Sequence, residues 1–383
     1  MSAAQDGANE PTAPQPAGPP SAVSPPAASE SAATLSAATE SAALQPAASR
    51  HAPPVPGAPP RSLSTFATIV IVLAGIGAGA LVGALVPAAA GVPDAVLLAV
   101  IAVAIGITLM DVPLASFGRA VLDRRFLAAV LLLNLVVSPV LVYVLSRVVV
   151  NDPDLQAGLL LMLLAPGVGL VAAFVRRAGG AVESLLSVAP VLLVLQAITV
   201  PGFMLLFTAG ENFLSLDGSR LPLAVLAGIL APAAIVTALQ LAGVRRPRLA
   251  AGMRRGATFT APATAIAAGL VAAVLIPRAG ERLELLEAVA PLFGVYVIVL
   301  TPLGILVATA FGLPLSQVRA VAFSGGARNG LLVLPVALAF PEGFAVVALV
   351  VVLGMAVEIV SLGIYGLVVP SVTAQSRSVL TPE

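Results

Sequence analysis

From Thr65 onward, long apolar runs alternate with short polar segments. A helix needs about twenty apolar residues to cross a bilayer, so each run predicts a transmembrane helix. Ten runs follow one another, at about 65–88, 94–112, 126–148, 156–175, 181–208, 221–243, 256–277, 286–311, 318–341 and 343–369. The two least uniform are the second, with Asp111 near its end, and the ninth. The ninth holds "FSGGARNGLLVLPVALAFP" from Phe323 to Pro341, where glycines, an arginine and an asparagine interrupt apolar sequence.

Residues 1–62 lack the pattern. They are rich in Ala, Pro and Ser, with few bulky apolar side chains. Such a segment cannot bury enough area to offset its ordering entropy, which predicts a disordered tail. It has no basic region followed by an apolar core, so it does not read as a secretory signal. The expected organisation is a tail over 1–62, a five-helix repeat over 63–210, a second over 211–371, and a C-terminal tail over 372–383.

Composition removes whole classes of function. The 383 residues are 59% hydrophobic and 10% charged, with mean hydropathy +1.07, too little polar surface for a soluble domain. A net charge of +1 gives no basis for a nucleic-acid partner; membrane lipid is the expected surrounding. With no Cys, disulfides and thiolate metal sites are excluded. The single His, His51, sits in the Pro-rich tail, so zinc or haem has no ligands in the spans. Every basic residue is Arg, which removes Schiff-base and P-loop lysines, and no Walker A motif is present. The chain reads as a non-enzyme with no cofactor and no metal.

The loop charges fix an orientation. Placing the N-terminal tail in the cytoplasm puts 14 Arg on that side and 4 (Arg147, Arg220, Arg278 and Arg282) on the other. That matches the positive-inside rule for ten spans with both termini cytoplasmic. The remaining one, Arg328, falls inside the ninth span.

Ten spans divide into five and five, and an odd number forces the second set to enter from the opposite face, giving two inverted repeats. The third and eighth spans carry Ser138-Pro139 and Thr301-Pro302 at matching places. The fourth and ninth carry "APGVG" and "SGGARNG". Pro166, Gly169, Gly325, Gly326 and Gly330 mark the expected helix breaks. A broken helix frees N–H groups at one half and C=O groups at the other, poles suited to anions and cations. Close packing alone also explains Gly and Pro in a span.

Arg328 and Glu358 are the clearest ionisable groups within spans, each costing roughly 2.5–3.5 kcal/mol on insertion scales, so both should face the interior. They pair with each other as a structural bridge, or Arg328 receives an anionic substrate while Glu358 takes a coupling cation or proton. Asn329, Asn134 and Gln196 are neutral polar groups in the spans, each an interhelical hydrogen bond or a ligand. Asn329 carries more weight because it lies at the break.

These features together resemble the bile acid:sodium symporter superfamily, which has ten spans in two inverted halves with breaks in the fourth and ninth. Several stretches are similar to its arsenite efflux permeases: "NLVVSPVL" at 134–141, "GLLLMLLAPGVGLVAAFVRRAGG" at 158–180, "AFSGGARNGLLVLPVALAF" at 322–340 and "VEIV" at 357–360. The resemblance covers about residues 65–370. It implies an all-α polytopic fold in which a panel of spans one, two, six and seven rocks against the other six. The departures are specific. The arsenite branch has a Cys after Ala-Pro that engages trivalent arsenic; Gly167 stands there. The sodium-coupled branch has a Ser-Asn pair where Val171 and Ala172 stand. In the ninth span Asn329 is kept, while Arg328 replaces the preceding amide. Arg328 is thereby expected to substitute for one coupling cation, with Glu358 carrying a proton.

The expected function is secondary transport in the plasma membrane of a bacterium, a source suggested by the Ala-rich, all-Arg composition. The substrate is arsenite or a related oxyanion, or alternatively a small organic anion, with H+ or Na+ as the coupling ion. From another class, the chain could be a non-transporting sensor or scaffold.

Overall fold

Interruptions in the apolar pattern become interruptions in helices. The computed structural model describes residues 63–114, 123–167, 169–208, 218, 220–341 and 345–380, with the backbone alone from 374 to 380. The expected disordered tail over 1–62 and the last three residues lie outside the described residues. Pro59–Glu383 form one compact unit.

Among the described residues, every regular element is helical. In chain order they are α1 (Thr65–Leu85), α2 (Asp94–Leu109), α3 (Arg124–Val149), α4 (Pro153–Leu164), α5 (Val171–Arg177), α6 (Val182–Phe207) and α7 (Arg220–Arg245). Then come α8 (Pro247–Ala257), α9 (Thr260–Ala279), α10 (Leu286–Ala310), α11 (Leu315–Gly326), α12 (Gly330–Ala337) and α13 (Ala345–Leu380). Seven helical segments are long and apolar enough to cross a membrane. One of these, Thr260–Ala310, is α9 and α10 joined by a 3-10 turn. Asp94–Leu109 and Pro153–Leu164 are shorter apolar helices.

Several boundaries differ from the expected ones for local reasons. α1 stops at Leu85 rather than near 88, because Pro87 has no N–H to continue the ladder and opens a 3-10 turn. α2 ends at Leu109, before Asp111, and Gln240 of α7 donates to the Val112 carbonyl just beyond it at 2.6 Å. α13 continues past the expected end at 369, so the tail assigned from 372 is helical as far as Leu380. In α3, Pro139 lacks the donor for the regular ladder, and a π-turn over Leu133–Val137 absorbs the fault.

The break between α4 and α5 includes Pro166, Gly167 and Gly169, with Gly169 at φ +96°. The break between α11 and α12 is shorter than expected, at Ala327, Arg328 and Asn329. Gly325 and Gly326 therefore lie in the last turn of α11. Their smallness serves packing: a Cβ would meet Leu133 Cδ2 at 2.7 Å from Gly325 and the Tyr365 ring at 2.6 Å from Gly326.

The helices sort into two groups. α9 packs chiefly on α1 and α2, and α7 packs on α2. α4 packs on α13, and α10 packs on α11 and α13. Most residues of Leu315–Ala337 are buried and few of Thr65–Leu85 are, so the broken helix is central and α1 peripheral. The α1–α9 seam is made by small residues four apart. A Cβ on Gly75 would meet Ala265 at 2.6 Å, one on Gly79 would lie 1.9 Å from the Gly269 carbonyl oxygen, and one on Gly83 would lie 2.9 Å from that of Ala273.

The bundle ends differ in chemistry. At one end Gln317 donates to Asp123 at 2.6 Å, and Arg319 donates to Thr373 Oγ1 and the Ala178 carbonyl, both at 3.0 Å. At the other, Arg278 pairs with Asp94 at 2.6 Å and Arg282 with Asp154 at 2.5 Å. Arg220 also lies 3.7 Å from Asp94, so Arg220, Arg278 and Arg282 share that end, away from Arg176, Arg177 and Arg254 at the Arg-rich one. Gly79→Ala should destabilise the purified protein by at least about 1–3 kcal/mol in thermal unfolding, because two backbones must separate. Gly77→Ala, with nothing within 4 Å of its Cβ, should leave stability unchanged or slightly raised.

Candidate functional site

A helix break leaves four carbonyls at one end and four N–H groups at the other without intrahelical partners. Here the two breaks meet and complete each other. The Asn329 N–H donates to the Pro166 carbonyl at 3.0 Å. The Asn329 side-chain oxygen accepts from the Leu331 N–H at 3.2 Å and caps α12. Gln196 of α6 donates to the Leu164 carbonyl at 3.2 Å, serving the end of α4.

Arg328 sits at the crossing, 1% exposed. Its Nε donates to Tyr296 Oη at 2.7 Å, and Nη2 donates to Ser138 Oγ at 2.7 Å. Nη1 donates to Asn134 Oδ1 at 2.9 Å and to the Ala165 carbonyl at 3.1 Å. Four of the five guanidinium N–H groups thus reach oxygens, none of them on a carboxylate. The acceptors are themselves fixed. Asn134 donates to the Val130 carbonyl at 2.9 Å and Ser324 Oγ at 3.0 Å. Tyr296 donates to the Gly325 carbonyl at 3.1 Å and lies 2.9 Å from Ser138 Oγ. With the tyrosine proton committed to Gly325, Ser138 is left to donate to Tyr296.

The cation is thus held where the C-terminal ends of α4 and α11 converge. Each helix C-terminus carries about half a negative charge, so two of them offset a guanidinium without an acid. Among the described residues no ion pair joins Arg328 to Glu358. The structural bridge expected between them is replaced by a different contact: the Arg328 backbone N–H donates to Glu358 Oε1 at 2.8 Å. An α13 carboxylate therefore satisfies the backbone of the break while the side chain turns to α3, α4 and α10.

The expected site residues fall into place unevenly. Arg328, Asn134 and Glu358 meet in one network. Asn329 lies beside it, on the other side of the break. Gln196 stays one carbonyl away. Gly167 is at the crossing, but a Cβ there would lie 2.4 Å from the Ala327 carbonyl oxygen, so the position admits no side chain. Pro166 accepts across the crossing, and Gly330 opens α12. Tyr296 and Ser138 were missed as ligands. The signal for Tyr296 was its rarity, one of 3 Tyr in a chain without Trp. Ser138 stood out only through the Ser-Pro repeat.

Around the crossing lie cavities of very different size. One of about 580 Å³ opens at the Arg-rich end and is lined by Thr68, Asp111, Gly169, Leu170, Arg176, Arg177 and Arg254, among others. A second, of about 20 Å³, reaches Asn329 and Glu358 and shares Leu170 with the first. At the opposite end a separate cavity of about 530 Å³ is lined by Asp94, Arg278 and Phe340, among others.

Residues 95–283 match the family model described as the Sodium Bile acid symporter family. The match covers just under half of the chain, and the members of that family are membrane transporters. No curated protein matches the chain.

If Arg328 is held by neutral oxygens, its loss orphans several groups at once. Arg328→Met should cost about 1–3 kcal/mol for each buried acceptor left without its donor. Adding Glu358→Leu should give no recovery in thermal stability, because Asn134 Oδ1 and the Ala165 carbonyl stay without their donor. Recovery in that double variant would show a direct ion pair instead.

Proposed function

We propose that the chain is a secondary active transporter of the arsenical-resistance type, moving arsenite or a related oxyanion across a bacterial plasma membrane by alternating access. The observation that carries this reading is the crossing of two helix breaks beneath a cavity of about 580 Å³, open at one end of the bundle. Interrupted helices at equivalent places in two halves are where secondary transporters bind their cargo. The spans form two inverted repeats of five, with both termini in the cytoplasm. The panel is α1, α2, α7 and α9, and the remaining helices form the core. The large cavity then faces the cytoplasm.

Arg328 stands in for a coupling cation. A free cation would bring its charge and leave with it; a tethered guanidinium stays. Sodium dependence is therefore weak or absent, and Glu358 carries a proton. With no room for a side chain at Gly167, the cargo is held by oxygen and nitrogen ligands rather than by a thiolate at that place.

A second substrate class, small organic anions, is favoured by Arg176, Arg177 and Arg254 lining the cavity mouth against a single acid, Asp111. A mouth lined by one sign of charge raises the local concentration of its counter-ion. The Arg328 fork does not support that reading, because four of its five N–H groups are already engaged.

Cells lacking their own arsenite exporters, made to express the chain, should accumulate less arsenite, and Glu358→Ala should abolish the difference. Unchanged accumulation with the protein present in the membrane would exclude arsenite and leave the organic anions.

A further inference from the structure

The cavity of about 20 Å³ between the two helix groups is lined by polar groups from both of them. A cavity needs about 10–15 Å³ to hold one water, so this one has room for a single molecule. From the core side, Glu358 and Asn329 line it, and both keep part of their surface open despite their depth. From the panel side come Thr108 of α2 and Thr264 of α9. Thr264 donates its hydroxyl to the Thr260 carbonyl at 2.8 Å, which leaves an oxygen lone pair free to accept. Thr108 is 2% exposed, and its Oγ1 has no hydrogen-bond partner among the described residues. A buried hydroxyl without a partner costs free energy, and a site with several polar walls and room for one molecule is where an ordered water repays it.

We propose that this cavity holds one water bound by Thr108, and that through it Glu358 exchanges its proton with the Arg-rich end alone. The proposal rests on the reading of Glu358 as the proton carrier and adds the route and the residue that builds it. Leu170 borders both this cavity and the large one, which places its side chain between the void at Glu358 and an open vestibule. On the core side of Glu358 lies a void of about 10 Å³ among Met162, Phe293 and Tyr296. The outer cavity, lined by Asp94, Arg278 and Phe340, shares no residue with either. The charged or titratable groups that line these two voids with Glu358 are Arg328, from the crossing, and Tyr296 of α10. α1, α2, α4 and α9 contribute Val72, Thr108, Met162, Leu163 and Thr264, none ionisable in this range. The carboxyl therefore exchanges by way of water rather than by relay along a chain of acids.

Infrared difference spectra of the purified full-length chain in lipid nanodiscs test this without any substrate. Lowering the pH in choline chloride should raise the carbonyl band of a protonated carboxyl, and Glu358→Gln should remove it. On transfer to D2O the band should shift quickly in the native chain and in Thr108→Ser. In the near-isosteric Thr108→Val, exchange should slow by at least about tenfold, since it then waits for local opening. Leu170→Phe, which narrows the passage, should slow it independently. Exchange in both of these at the native rate would overturn the proposal, as would a band that survives Glu358→Gln. So would disappearance of the band on replacing choline with sodium at fixed pH, which would mark the cavity as a cation site. Because no cargo is needed, a negative arsenite assay with slowed exchange in Thr108→Val would reject the substrate and keep the route.

Discussion

One guanidinium holds the centre of this protein together. Placing an arginine in the apolar middle of a bundle costs roughly 2.5–3.5 kcal/mol on insertion scales, and hydrogen bonds to a charged group return about 1.5–3 kcal/mol each. Arg328 makes four, to oxygens on α3, on α10 and at the end of α4. The ends of two half-helices supply the compensating charge. Its planar fork suits this work: donors leave it in three directions at fixed angles, which a lysine ammonium on a flexible stem would not reproduce.

Much else follows from that placement. The breaks need partners for their carbonyls and N–H groups, because unwound backbone survives at such depth only where protein or a water-filled cavity satisfies it. Arg328, Asn329, Gln196 and Glu358 provide those partners from within the protein. Gly167 and Gly169 allow the two loops to touch, the first by close approach to Ala327 and the second through its positive φ. Elsewhere, the α1–α9 seam of small residues lets those two helices pack backbone to backbone.

The helical class and the apolar segments were legible from period and length alone, because a bilayer demands both. The interruptions of the fourth and ninth runs gave the places where helices break, the Ser-Pro of the third marked only a π-turn in a continuous helix, and Arg328, Asn329 and Glu358 stood out as polar groups at an apolar depth. Three things were not legible. The first is the direction in which Arg328 turns. Sequence shows one acid and one base in adjacent spans and suggests a pair, whereas the three-dimensional path puts the backbone of one beside the side chain of the other. The second is Tyr296 and Ser138, whose hydroxyls look like ordinary interhelical glue until the fold gathers them. The third is the exact break: Gly325 and Gly326 read as hinge residues but complete a helical turn, their smallness needed by Leu133 and Tyr365. Such facts depend on which helices become neighbours, and no local pattern carries that.

The central claim is that Arg328 does permanently what a bound cation would do transiently. The most direct measurement is the thermal unfolding midpoint of the purified chain in sodium chloride against choline chloride, for the native protein and for Arg328→Ala. The account predicts a native midpoint indifferent to sodium, and a variant that is destabilised and then partly restored by sodium or by free guanidinium entering the vacated ring of oxygens. A native protein stabilised by sodium, with a variant that responds to neither ion, would contradict it.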